Sequence, residues 1–199
     1  IGNVAEPIPK IQRHVAERLG CPAAQVEVNL VAQHAFEYYI LNAETHDALP
    51  PHMLKATVAG KDVSDIANEA LRAPFPFPYD LHFNRVTASA GIQALRALTA
   101  EQPIRTHLPG IGKYLGGYPV TASREGIKID LPDDWSMDQA IATNDASLSW
   151  DGIAAVDADG TIHFTDKTAA ALRSLLGQRC DTLDVRSAAA QAKALLAAL

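Results

Sequence analysis

The chain lacks the sequence features of several common protein classes. It has only two cysteines, Cys21 and Cys180, far apart in the sequence, so we expect two thiols in a reducing compartment and no disulfide framework. Its apolar runs are much shorter than the roughly 20 residues that span a membrane, and because its start is polar and contains proline, we expect no signal peptide. These features indicate a cytoplasmic protein that does not contact a membrane.

Positive charge is also scarce and scattered. Seventeen Lys and Arg residues stand against 23 Asp and Glu residues, and the net charge is −6. Nucleic-acid binding needs a clustered basic face, so nucleic acid is not an expected partner. The sequence contains neither HExxH nor CxxC, which argues against a preformed zinc site and leaves open a metal held jointly by two domains.

What the chain does have is enough apolar sequence for a folded core. It contains 199 residues, of which 48% are hydrophobic, which suits one domain or one domain with a small appendage. It begins with Ile1 instead of methionine, as we expect for a processed or truncated product.

The order of periodic segments predicts an α+β fold. The predicted helices are 8–19, 63–73 with Ser64 as N-cap, 83–100, a segment from Ser136, and two alanine-rich segments near the C-terminus. The predicted strands are 26–33 and two hairpins with turns at Arg124-Glu125-Gly126 and Asp159-Gly160. Residues 42–60 are mixed, and the three prolines of 73–80 indicate a stiff loop.

His34 is the candidate catalytic residue. It follows the predicted strand 26–33, and strand ends often present catalytic groups. An imidazole there serves as an acid–base group near neutral pH or as a metal ligand. The alternative is a partly buried histidine that only hydrogen-bonds to the backbone, and the sequence leaves both interpretations open.

Asn84 and Arg85 are candidate substrate-binding residues near the start of the predicted helix 83–100. A helix N-terminus favours anions, and an arginine fork binds a carboxylate or phosphate. The alternative is that Asn84 caps the helix and Arg85 is solvated. The glycine-rich loop 109–119 precedes a strand and not a helix, so we interpret it as a turn-forming loop and not as a phosphate cradle.

Several segments together resemble the C-terminal domain of the lactate/malate dehydrogenase and family 4 glycosidase superfamily. AERLG (16–20), VEVNLVAQ (26–33) and His34 follow the superfamily order of helix end, strand and functional histidine. Further along, GGYPVTASREGIKIDLP and the helix SMDQAIATNDAS resemble its C-terminal strands and final helix. Residues beyond about 150 look like an addition to this pattern.

The resemblance implies roles for two residues, His34 and Lys10, beside the candidates Asn84 and Arg85. His34 would be the acid–base catalyst, as in the dehydrogenases, or a metal ligand, as in the glycosidases, which use NAD and a divalent metal. Lys10, near the position of the dehydrogenase arginine, would contact the substrate together with Asn84 and Arg85.

The chain also departs from the superfamily pattern. Ala35 stands where the dehydrogenases have glycine, and Gln33 stands where the glycosidases have asparagine. The glycosidase cysteine is missing from the segment IGNVAEPIP, and the aspartate that pairs with the dehydrogenase histidine is replaced around Pro7.

Two hypotheses follow. In the first, residues 1–150 form the substrate-binding and dimerisation domain of an NAD(P)-dependent oxidoreductase or family-4-glycosidase-like enzyme, and 151–199 add a hairpin and helices. Its substrate would be a small hydroxy acid or sugar derivative. NAD(P) would be bound mainly by an upstream domain absent from this chain, so the isolated chain is expected to be inactive. A homo-oligomer is also expected. In the second, helices 83–100 and 187–199 make the chain a non-catalytic oligomerisation module, with His34 structural.

Overall fold

The computed structural model describes residues 4–42, 47–73, 83–177 and 180–198. Helices and three small antiparallel sheets make up the described chain, which confirms the predicted α+β class. It divides into two compact units, Ile1–Ser147 and Leu148–Leu199. The substrate-binding and dimerisation role predicted for residues 1–150, and the interpretation of 151–199 as an addition, stay predictions. No helix in the described ranges is both long enough and apolar enough to cross a membrane.

The first sheet of the first unit has the order β1–β2–β3. Its strands are β1 (Val26–Val31), β2 (Met53–Val58) and β3 (Lys61–Asp62). The helices of this part are α1 (Ile8–Leu19), α2 (His34–Leu41) and α3 (Ser64–Arg72). Helices α1 and α3 pack on each other and on the sheet, and their shared core includes Ile11, Val15, Leu30 and Leu71.

Helix α1 forms where its apolar spacing predicts it. Ile11 and Val15, one turn apart, are fully buried. The helix ends at Leu19 and is capped by Gly20, whose left-handed φ of 65° turns the chain so that the Cys21 N–H also bonds to the Ala16 carbonyl. The predicted helix and its predicted stop are both confirmed.

Two details of this region differ from the sequence predictions. Strand β2 lies in the stretch 42–60 that was predicted only as mixed structure. Ser64 was wrongly predicted as the N-cap, because Val63 holds that position. The Ser64 hydroxyl instead accepts the Ala56 N–H at 3.1 Å, so it bonds to the neighbouring strand. The predicted loop 73–80 falls, after Ala73, outside the described residues.

The second sheet of this unit has the order β4–β5–β6. Its strands are β4 (Ile104–Pro109), β5 (Gly117–Ser123) and β6 (Gly126–Ile129), and its helices are α4 (Phe83–Thr99) and α5 (Met137–Ser147). The predicted helix start at Ser136 is confirmed, since its hydroxyl accepts the Gln139 N–H while Gln139 accepts the Ser136 N–H.

The glycine-rich loop joins antiparallel strands β4 and β5, as a turn-forming loop should. Gly116 has a φ of 75°, and a Cβ there would overlap the buried Asn144 side chain. A Cβ at Gly117 would overlap Val4. These two glycines are therefore required because the backbone passes too close to its neighbours for a side chain.

The second unit contains a third small sheet of order β7–β8–β9. Its elements are β7 (Ile153–Val156), β8 (Ile162–Phe164), α6 (Asp166–Leu176), β9 (Thr182–Leu183) and α7 (Ala188–Ala198). The predicted hairpin is confirmed: β7 pairs with β8 across the Asp159-Gly160 turn.

A buried histidine connects the two sheets of the first unit. The Leu30 N–H, at the free edge of β1, donates to Nε2 of His107 in β4 at 3.1 Å. One step further along, the Gly117 N–H donates to the Ala32 carbonyl. Burial, with a smaller contribution from the Arg105 charge, lowers the pKa of His107 to about 3 from its ordinary 6.5. The ring is therefore neutral and able to accept at physiological pH.

Replacing His107 with glutamine, whose amide oxygen still accepts a hydrogen bond, should flatten the acid dependence of stability. The unfolded wild type gains a proton near pH 6.5 and the folded protein only near pH 3. Stability is thus fully present above pH 6.5 and falls as the pH drops, by about 1.4 kcal/mol per unit. The free energy of unfolding of the first unit is measured by urea unfolding at pH 7, 6 and 5 in a Trp150→Phe background, followed by Trp135 fluorescence.

His163→Gln is the matched control, because His163 is more exposed and lies in the second unit. The first unit of this variant should lose stability in acid as the wild type does. Equal acid sensitivity of His107→Gln and wild type would contradict a neutral, accepting His107.

Candidate functional site

Three segments of the first unit meet around the carboxylate of Glu6. The Thr87 hydroxyl, from the second turn of α4, and the charge of His34 both act on this carboxyl group and lower its pKa. Glu6 itself lies in the turn before α1, outside regular structure. The first unit therefore brings together a carboxylate, an imidazole and a hydroxyl that are far apart in sequence.

His34 is placed by the end of β1. The strand pairs with β2 as far as Val31, Gln33 stays extended, and His34 is the first residue of α2. His34 is exposed, while its neighbours Ala35 and Phe36 are buried. The core thus holds the start of α2 in place while the imidazole stays accessible to a ligand.

The Glu6 side chain is almost fully buried, with the residue 5% exposed. Burial raises the pKa of Glu6, while the Thr87 hydrogen bond and the His34 charge lower it by a smaller amount. The Glu6 carboxyl group and the His34 imidazole therefore interact electrostatically. This arrangement is suited to moving a proton at the exposed His34 ring.

Asn84 and Arg85 lie three and two residues before Thr87, and both are exposed. The helix begins at Phe83, so Asn84 is its second residue and was wrongly considered a possible cap. Arg85 is exposed and lies in the first turn of α4, the helix end that favours anions. The predicted residues His34, Asn84 and Arg85 thus belong to segments that meet at Glu6.

Lys10 has a different environment. Its ammonium donates to the Ala73 carbonyl, at the C-terminal end of α3, at 2.6 Å. Partial burial lowers the pKa of Lys10 to about 8, so it remains mostly protonated at neutral pH. A lysine in this position stabilises the last carbonyls of a helix, and its predicted contact with substrate stays a prediction.

The sequence analysis missed Glu6 and Thr87. Glu6 stands beside Pro7, where the resemblance suggested that a carboxylate had been lost, and neither residue belongs to a recognisable motif. Only the tertiary fold brings them near His34. Among the described residues, no three histidine, cysteine, aspartate or glutamate side chains come together as metal ligands, so the structure adds no support for His34 as a metal ligand.

Comparisons with protein-family models, curated proteins and solved structures find no significant match to this chain. The resemblance to the dehydrogenase and glycosidase superfamily therefore rests on its sequence segments alone. The geometry around Glu6 is independent of that resemblance.

Replacing Thr87 with valine should raise the pKa of Glu6, because the carboxylate loses the hydroxyl that stabilises its charged form. His34→Gln should shift it in the same direction by removing positive charge. The measurement is a carbon-13 NMR titration of the Glu6 carboxyl group.

Thr99→Val is the matched control for this titration. Thr99 lies at the other end of α4, and its hydroxyl donates to Leu95 of the same helix at 2.9 Å. An unchanged Glu6 titration in Thr87→Val, or an equal shift in Thr99→Val, would show that the hydroxyl does not contact Glu6.

Proposed function

We propose that this chain is the substrate-binding part of an NAD(P)-dependent oxidoreductase or family-4-glycosidase-like enzyme, acting on a small hydroxy acid or sugar derivative. The observation that carries the proposal is the buried Glu6 carboxyl group, on which the charge of the exposed His34 ring acts. The dehydrogenases that the sequence resembles pair their catalytic histidine with a carboxylate, and here Glu6 takes that part from a neighbouring position. A lactate-dehydrogenase-like C-terminal fold belongs to the same proposal.

In this proposal His34 exchanges a proton with a hydroxyl or carbonyl oxygen of the substrate. When the ring accepts the proton, the Glu6 carboxylate stabilises the imidazolium; when the ring donates it, Glu6 keeps the ring oriented. Thr87 stabilises the charged form of the Glu6 carboxyl group. Arg85, at the positive end of α4, binds a carboxylate or phosphate of the substrate and so orients the reacting carbon.

The described residues do not fit a dinucleotide-binding site. Such a site needs a glycine-rich turn between a strand and a helix, whereas the loop between β4 and β5 joins two antiparallel strands. NAD(P) would therefore be held by another domain, and the part of this chain is proton transfer and substrate orientation.

A second candidate function is a non-catalytic oligomerisation module. The observation in its favour is the surface of α4, where Ile92 and Leu95, one turn apart, are 65% and 64% exposed. In that case self-association would depend on these two side chains, and small acids would not bind at His34.

The test is a binding titration of the chain with small 2-hydroxy and 2-oxo acids and with sugar phosphates, followed by amide NMR. We expect the shifts to centre on His34, Asn84 and Arg85. Arg85→Lys should weaken binding about tenfold because the two-point fork is lost. Arg96→Lys, a change at the far end of the same helix, should leave affinity unchanged.

Two results would contradict the proposal. One is equal affinity of wild type and Arg85→Lys for every acid that binds. The other is turnover of a hydroxy acid with NAD(P) by these 199 residues without a further domain. Self-association that is lost on Ile92→Glu, with no acid binding, would support the oligomerisation module instead.

A further inference from the structure

A groove of about 340 Å³ lies in the first unit between α1, β1, α4 and β4. Its lining includes Gln12, Ala24, Val28, Gln93, Arg105 and His107. Its volume falls at the lower end of the roughly 300–1,000 Å³ typical of small-molecule sites. His34, Asn84 and Arg85 do not line it, so it is distinct from the groups of the proposed function.

One wall of the groove is the free edge of β1. In the pair Val28–Ala56, the Ala56 N–H donates to the Ser64 hydroxyl and the Ala56 carbonyl accepts the Val63 N–H. Ala56 thus directs its backbone groups away from β1, and its partner Val28 directs its own away from β2. The N–H and carbonyl of Val28 consequently face the groove.

The same edge is occupied on both sides of Val28. Gln12 Nε2 donates to the Val26 carbonyl at 2.9 Å, and the Leu30 N–H donates to His107 at 3.1 Å. Within the described ranges, neither backbone group of Val28 has a hydrogen-bond partner, although the residue is only 8% exposed. Backbone groups this buried are nearly always paired in native proteins, so Val28 presents a donor and an acceptor ready for a ligand.

We propose that this groove binds a short extended peptide, whose main chain pairs with Val28 as an added antiparallel residue. A single peptide residue supplies the N–H and carbonyl that match the two groups of Val28. The Gln12 and His107 contacts block the edge on either side, so the ligand is about two to three residues long and not a full strand, in keeping with the volume of the groove.

The charges around the groove favour a peptide over an anionic metabolite. The Arg105 guanidinium is already bound to Asp130 at 2.7 Å and to the Asn29 side chain at 3.1 Å. Glu27, at the groove wall, adds a further negative charge 4.0 Å from Arg105. The remaining lining combines apolar side chains with amides, the Thr106 hydroxyl and the neutral His107 ring. It carries no further charge, which suits small side chains and a neutral main chain.

The test uses N-acetyl-alanyl-alanine methylamide as the probe and the 199-residue chain as the receptor. We expect saturable movement of the Val28 amide NMR signal, and hydrogen exchange of that amide slowed about tenfold or more at saturation. A probe with every amide nitrogen methylated cannot donate to the Val28 carbonyl, and it should bind at least about tenfold more weakly.

Matched variants test the location. Ala24→Trp fills the groove from an exposed position and should weaken binding at least tenfold. Ala23→Trp, on the same short turn but outside the lining, should bind as wild type does. Gln93→Trp blocks the groove from α4 and provides a second variant if Ala24→Trp misfolds.

Either of two results would overturn the proposal. One is a Val28 amide that already exchanges slowly in the free protein, because the edge would then be covered by the chain itself. The other is unchanged affinity in a folded groove-filling variant. Both results are independent of acid binding at His34, so this proposal and the proposed function fail separately.

Discussion

The hydrogen bond from the Leu30 backbone to the His107 ring is the constraint on which the first unit depends. It joins the free edge of the first sheet to a strand of the second, and both residues are buried. Only a neutral imidazole can accept this bond, and burial keeps the ring neutral. The adjoining bond between Gly117 and Ala32 requires a glycine, because a side chain there would overlap Val4.

These two hydrogen bonds lie where β1 ends, and they occupy part of its free edge. Beyond Ala32 the chain leaves the sheet, and His34 begins α2 with its ring exposed. Before Leu30, the edge passes along a groove in which the backbone of Val28 has no hydrogen-bond partner among the described residues. The proposed proton-transfer group and the proposed peptide site are therefore both consequences of how one strand ends.

The parts of the fold that depend on local sequence could be predicted. The spacing of Ile11 and Val15, the stop at Gly20 and the turn at Asp159-Gly160 are each encoded within a few residues. Strand β2 could not be predicted from the sequence, because its residues show no clear alternation of apolar and polar side chains. This agrees with its burial, which is intermediate along nearly its whole length.

The candidate site was only partly predictable for a related reason. His34 could be predicted as a candidate site residue because it follows a strand, and Arg85 because it lies in the first turn of a helix. Glu6 and Thr87 lie 81 positions apart by their residue numbers, and nothing local marks either as a partner of His34. Likewise, the orientation of the Val28 backbone depends on strand register, which pairing with Ala56 establishes and the residue itself does not.

The most direct test of this account is the protonation state of His107, read from long-range proton–nitrogen NMR spectra of its imidazole at pH 5. The account predicts a neutral ring with its proton on Nδ1 and a bare Nε2 that accepts the Leu30 N–H. A doubly protonated ring at that pH, or a proton on Nε2, would contradict it.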